Sequence, residues 1–455
     1  MAMEKIHGGR DGDEDHPQSP HVAIIPSAGM GHLTPSLRLA ATLAAQGCIV
    51  SLVSIHHTVS SSESLHISRF FSHSTHVRPL PFHLHYPSSS DPFFLHIEAI
   101  RRSAHLLPPL LTSASPPLSA LITDVTLASS IASLSLPFPN YICFTSSAAM
   151  LSFLAIYPAA AGMTDFNIPG FASPLPRSFI PPLLHNPAHL FTTQFVENGQ
   201  ALVKAHGILV NTFHELEPEP LAALNDGRVV QGLPPVTAVG PLEPREFERG
   251  SGTKPSWLDD QPAASVVYVS FGSRTALSGD QIKHLGIGLE KSGCRFLWVV
   301  KSKIVDKDDE AVELGELVGL DFLERTKDRG LVVKGWVDQG EVLGHPAVGG
   351  FISHCGWNSV TEAAMRGVPV LAWPQLGDQK MNAEIVGWGG EVLVTGEEIS
   401  RHVQALMTDV GLRARAAHIG EKARQAISTD GSSVKALAGL IKSWSHKSVA
   451  AEAAM

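Results

Sequence analysis

Short apolar runs without polar alternation recur along the chain, each followed by a longer stretch with helical spacing. Residues 21–26 (HVAIIP) predict a buried strand. Residues 33–46 predict a helix with Leu33, Leu37, Ala40 and Ala44 on one face, stopped by Gly47. Residues 48–55 form the next strand. Further strands are expected at 118–123, 140–144, 207–211, 266–271, 296–300, 331–334, 349–353 and 369–373. Runs that are apolar throughout suit strands covered on both faces, as in parallel sheets flanked by helices.

The periodicity lapses at residues 240–255, GPLEPREFERGSGTKP, which reads as an interdomain connection. A second β/α series starts at Ser265. The expected organisation is a tail at 1–20, a first Rossmann-like domain at 21–240, a linker at 241–256, a second such domain at 257–430, and a helix and tail at 431–455. Ligands of doubly wound sheets sit at the carboxyl ends of the strands. The charged stretch 301–310 is expected to be a solvated loop.

Length and composition agree with this division. The chain has 455 residues, 44% hydrophobic and 17% charged, more than one core usually fills and too apolar for a disordered chain. Its net charge of -9, without a Lys/Arg block, argues against nucleic acid as partner. The four cysteines, Cys48, Cys143, Cys294 and Cys355, are widely spaced, so neither a disulfide framework nor a cysteine zinc site is indicated and a cytosolic location is expected. Residues 125–164 lack Asp, Glu, Lys, Arg and His, but Pro137, Pro139 and Pro158 break the run. A buried strand and helix is expected there, not a membrane span. The first 20 residues are acidic and polar, unlike a signal or transit peptide.

The most informative stretch is 336–379, WVDQGEVLGHPAVGGFISHCGWNSVTEAAMRGVPVLAWPQLGDQ. Residues 349–353 predict a strand and 360–366 a helix, joined by His354-Cys355-Gly356-Trp357-Asn358-Ser359. A helix N-terminus after a small-residue turn offers free N–H groups and a favourable dipole to an anion such as a diphosphate. The plainer reading of Ser359 and Glu362 is a capping box, S-x-x-E. Taken whole, the stretch resembles the signature of plant family 1 UDP-glycosyltransferases: an opening Trp, Gln at the fourth place, HCGWNS, Glu, GVP and a closing DQ. The resemblance implies a GT-B fold, with two Rossmann-like domains facing across a cleft. It implies that Trp336 stacks on uracil, Gln339 contacts the nucleoside and Glu362 holds the ribose hydroxyls. His354, Asn358 and Ser359 would take the phosphates, and Trp357, Asp378 and Gln379 the sugar, with Gln379 favouring UDP-glucose as donor. Val337, Gly356 and, from the first domain, Thr145 complete the implied set. Ser273, ending VSFGS, resembles the family's further phosphate-binding serine, and a helix N-cap is its alternative reading.

His32 lies in Pro26-Ser-Ala-Gly-Met-Gly-His-Leu-Thr-Pro, where the first strand gives way to the first helix. The motif resembles the family's first loop, whose His is the general base, and Asp124 resembles its partner carboxylate. A carboxylate on the far ring nitrogen fixes the tautomer and stabilises the imidazolium. Gly29-x-Gly31 is not read as a dinucleotide fingerprint, because Thr34 stands at the third glycine place and the next strand ends in His56-His57. His345, His354 and Cys355 have no metal-ligand spacing.

These features together lead us to expect an inverting, metal-independent glucosyl transfer from UDP-glucose to a phenolic acceptor by a monomer needing no cofactor. SAGMGHLTP and Asp91-Pro92-Phe93 resemble plant flavonoid C-glucosyltransferases more than the O-glucosylating majority, so a C-glucoside of a dihydrochalcone or 2-hydroxyflavanone is expected. Asp91, Pro92 and Phe93 would belong to the acceptor pocket, although Asp-Pro also suits a helix start. Residues 61–110 and 163–195 are expected to line the same pocket. After Val386 the chain runs directly into Gly387-Trp388-Gly389-Gly390, about a dozen residues shorter than the family pattern. A shortened β/α unit beside the sugar site would suit an inactive UDP-sugar-binding protein, a reading that intact His32 and Asp124 oppose.

Overall fold

Fourteen strands form among the described residues, and all but one short hairpin belong to two parallel sheets. The computed structural model describes residues 19–56, 58–84, 92–160, 162, 165–171, 174–249, 255–301, 312–387 and 395–452. Most of the expected N-terminal tail, most of the 301–310 loop and the 388–390 part of the shortened segment lie outside them, as does Asp91.

The first sheet contains β1 (His21–Ile25), β2 (Ile49–His56), β3 (Val77–His83), β4 (Ala120–Asp124) and β5 (Asn140–Phe144). After a hairpin of β6 (Asp165–Phe166) and β7 (Leu175–Pro176), it is completed by β8 (Gly207–Val210) and β9 (Val236–Ala238). Its strand order is β3-β2-β1-β4-β5-β8-β9. The second sheet has β10 (Val266–Ser270), β11 (Arg295–Val300), β12 (Gly330–Lys334), β13 (Val348–Ser353) and β14 (Val370–Ala372), ordered β12-β11-β10-β13-β14. Chain order reverses between β1 and β4 in one sheet and between β10 and β13 in the other. Each reversal opens a crevice at the strands' carboxyl ends.

Burial follows the apolar pattern: all five residues of β1, β4 and β10 are buried. Besides the hairpin, two strands absent from the sequence expectation appear in the first sheet. β3 (VRPLPFH) carries Pro79 and Pro81, which cannot donate to a ladder, and it stands at the sheet edge pairing with β2 alone. β9 has only three residues. The helix expected from residue 360 starts at Trp357 and runs to Arg366, and the first helix is Met30–Ala45. The last helix, Ser432–Glu452, returns to the first sheet: Leu437 and Trp444 are buried in its core, Trp444 edge-on to Tyr141, and Ser433 Oγ donates to Gly240 O. Among the described residues no helix is long and apolar enough to cross a membrane.

Candidate active site

Both reversal points open onto one cleft of about 1150 Å³, lined by His32 and Thr145 from the first sheet's side and by Ser273, Trp336, His354 and Glu362 from the other. His32 sits in the first turn of the helix Met30–Ala45, and Asp124 is the last residue of the adjacent strand β4. That adjacency brings residues 92 positions apart into contact, His32 Nδ1 to Asp124 Oδ2 at 2.8 Å. Asp124 is fully buried, and its other oxygen accepts from Thr126 N at 2.9 Å and Thr126 Oγ1 at 2.6 Å. The carboxylate therefore cannot turn away. Thr145 Oγ1 lies 3.1 Å from the same imidazole nitrogen. With Nδ1–H donated to Asp124, the basic lone pair belongs to Nε2. Burial pushes the imidazole pKa down, but the charge of Asp124 and its hydrogen bond outweigh burial and hold it above the ordinary value.

Across the cleft, β13 ends at Ser353 and the helix Trp357–Arg366 begins after Gly356. Its first α-helical hydrogen bond runs from Val360 N to Gly356 O, so the N–H groups of Trp357, Asn358 and Ser359 precede the helical ladder. No side chain caps this terminus. The capping box that was the plainer reading of this pair is therefore not formed, because Ser359 and Glu362 lie inside the helix and turn elsewhere. Gln339 Nε2 donates to Ser359 Oγ at 3.0 Å and to Glu362 Oε2 at 2.9 Å.

His354 is wedged between two glycines. A Cβ on Gly272 or Gly356 would stand 2.6 or 2.5 Å from its Nε2, and Gly272 also has φ +73°, so both positions require glycine. Burial, assisted by the charge of Lys301, pushes the His354 pKa down to about 4. The ring is thus neutral at pH 7, with Nδ1 buried and no hydrogen-bond partner for it among the described residues. Ser273 caps no helix, since the next one, Gly279–Ser292, is capped by Ser278. It stays in the turn after β10, where it lines the cleft.

Trp336 is half exposed, and the Lys301 ammonium stands 5.5 Å over its ring. Val337, next to it, is buried at the cleft wall. Trp357 is buried, its indole N–H donating across the domain boundary to Asn211 O at 2.8 Å. Asp378 accepts from Ser146 Oγ of the first domain and from Asn382 Nδ2 at 2.9 Å. Gln379 Oε1 accepts from the N–H groups of Gln375 (2.8 Å) and Leu376 (2.9 Å), which leaves its amide NH₂ as the group able to serve a sugar hydroxyl. The structure thus gathers every expected donor-side residue into one cleft. Pro92 opens the helix Pro92–Ser103, as its alternative reading foresaw, and the side chains of Pro92 and Phe93 lie outside the description. Ile97 of that helix lines the cleft, as do Met150, Leu154, Phe191 and Phe195. Ile97, Phe191 and Phe195 fall within the stretches 61–110 and 163–195 expected to line the acceptor pocket, whereas sequence reasoning did not single out Met150, Leu154, Ser146, Asn382 or Arg38.

A family model described as UDP-glucoronosyl and UDP-glucosyl transferase matches residues 204–409. UDP-glycosyltransferase 708G2 of Citrus unshiu is 52% identical over 460 residues, covering 93% of this chain and 96% of that protein. The chain belongs to the plant UDP-glycosyltransferase family. UDP-glycosyltransferase CGT of Oryza sativa subsp. japonica is likewise 52% identical to this glycosyltransferase, over 92% of its length and 94% of the rice protein. In three dimensions the glycosyltransferase matches the crystal structure of LpCGTa in complex with UDP. The TM-score is 0.82 and the identity 48%, covering 94% of this chain and 99% of that one. Its two facing parallel sheets are those of the GT-B fold.

Proposed function

We propose that this glycosyltransferase moves glucose from UDP-glucose to a phenol, with inversion at the anomeric carbon and without a metal. The observation that carries the reading is the His32–Asp124 contact, which aims a basic imidazole into the cleft that holds the family's donor signature. Trp336 serves as the platform for uracil, and Glu362 accepts from the ribose hydroxyls. The N–H groups opening the helix Trp357–Arg366, with His354 and Ser273, stabilise charge growing on the departing diphosphate. Asp378, Gln379 and Thr145 hold the glucose. His32 removes the phenol proton, and the acceptor attacks the anomeric carbon from the side opposite UDP. The complex of LpCGTa with UDP supports a nucleotide in the corresponding cleft. If no metal takes part, EDTA leaves the rate unchanged.

The product we propose is a C-glucoside. Once deprotonated, a phloroglucinol-type ring carries charge on the carbon ortho to its oxygen. That carbon forms the new C–C bond as the anomeric C–O bond to UDP breaks. Loss of the ring proton from the same carbon and return of one to the oxygen then restore the phenol. The apolar wall of Met150, Leu154, Phe191 and Phe195 suits a planar aromatic acceptor. The relatives bearing CGT in their names, which we read as C-glycosyltransferase, support the linkage. With phloretin and UDP-glucose, the expected product survives acid hydrolysis that cleaves phenolic O-glucosides. A product that releases glucose in acid makes the enzyme an O-glucosyltransferase instead.

A further inference from the structure

Arg38 is a single cation within the mostly apolar segment LTPSLRLAATLAA of the first helix, and its side chain is buried. It meets the connecting segment and the second domain. Its Nε and Nη2 donate to both oxygens of Glu248 at 2.8 and 2.6 Å, and its Nη1 to Leu242 O at 3.2 Å. The second Nη2 hydrogen crosses to Glu362 Oε1 at 2.6 Å. Glu248 is itself held, its Oε1 accepting from Arg245 N at 2.9 Å. The guanidinium is thus fixed by the connecting segment before it meets Glu362, and its planar fork leaves little freedom in where that contact falls.

We infer that Arg38, a residue of the acceptor-side domain, is a positioning residue for the donor: it sets the Glu362 carboxylate to receive the ribose hydroxyls. The inference rests on the assignment of Glu362 to ribose made above. Glu362 is gripped at one oxygen by Arg38 and at the other by Gln339, which fixes the carboxylate plane and leaves lone pairs on both oxygens for a diol. Arg38 thereby sets one positive charge against two carboxylates, Glu248 of the connecting segment and Glu362 of the second domain. The helix that carries Arg38 carries His32 six residues earlier, about 9 Å along its axis. One rigid element therefore bears both the proposed base and the group that orients the ribose carboxylate.

A fastener that merely held the domains together would alter stability without reading the ribose, so the test compares UDP with 2′-deoxy-UDP by calorimetric titration of the full-length enzyme. Wild type is expected to prefer UDP by about tenfold, the worth of a hydrogen bond to a charged group. Glu362→Gln and Arg38→Met both lose most of that preference, and Arg38→Lys, which keeps the charge but not the fork, falls between. Should Arg38→Met not fold, Arg38→Lys carries the test through its reduced preference. Arg38 variants that keep the full preference while Glu362→Gln loses it overturn the inference alone. A Glu362→Gln enzyme that keeps the preference overturns the ribose assignment and the inference with it.

Discussion

His32→Ala lowers kcat by about a hundred- to ten-thousandfold while the Kd for UDP stays within about twofold of wild type. The separation follows from where the parts sit. The imidazole belongs to the first turn of the first domain's opening helix, and Asp124 at the end of β4 holds its Nδ1. The groups proposed to hold the nucleotide, Trp336, Gln339, His354, Ser359 and Glu362, all come from the second sheet's side. Removing the imidazole therefore takes away the proton acceptor and leaves the nucleotide site standing. Single-turnover rates with a phenolic acceptor, measured beside a UDP titration, check both halves. Turnover retained at the wild-type rate rules out His32 as the base, and loss of UDP affinity in proportion to turnover assigns it to binding.

Asp124→Asn has the second large effect, and its signature is a pH profile. A general base works in its neutral form, so kcat/KM falls as pH drops through the imidazole pKa. In the wild type burial acts to lower that pKa, and the Asp124 charge and hydrogen bond overcome it, so the acid limb lies above the ordinary 6.5. An amide in place of the carboxylate removes the charge but not the burial. The acid limb then moves to lower pH. The plateau falls as well, by roughly a hundredfold or more, because the tautomer is no longer fixed and the imidazolium no longer stabilised. Thr145 Oγ1, 3.1 Å from the same nitrogen, can hold the ring but brings no charge. An acid limb that stays in place, or moves up, contradicts the dyad.

The sequence disclosed the parts whose physics is local. Runs such as Val266 to Ser270, covered on both faces, read as strands of a parallel sheet because burial on two sides demands continuous apolarity. The donor signature was legible because its turn, helix start and polar side chains fall within one stretch of chain. β3 escaped because two prolines in seven residues argue against a strand until its edge position is known. The pair Ser359 and Glu362 looked like a cap because S-x-x-E is the local pattern of one. Only the structure places the helix start earlier and gives Glu362 to Gln339 and Arg38. Arg38 was hidden for a further reason. Its carboxylate partners lie 210 and 324 positions along the chain, and periodicity carries no information about which distant charge will meet a cation inside an apolar segment. The same holds for Ser146, whose hydroxyl meets Asp378 232 positions away.

The central claim is that two facing sheets bring a proton acceptor on one side to a nucleotide sugar held on the other, so that glucose passes to a phenol. A time course of the wild-type enzyme with UDP-glucose and phloretin, following UDP and glucosylated phloretin together, tests it most directly. The account predicts that both appear from the start in equal amounts. Tight binding of UDP with no glucosylated product, or UDP released as free glucose accumulates in its place, would contradict it and leave a protein that holds the donor without completing the transfer.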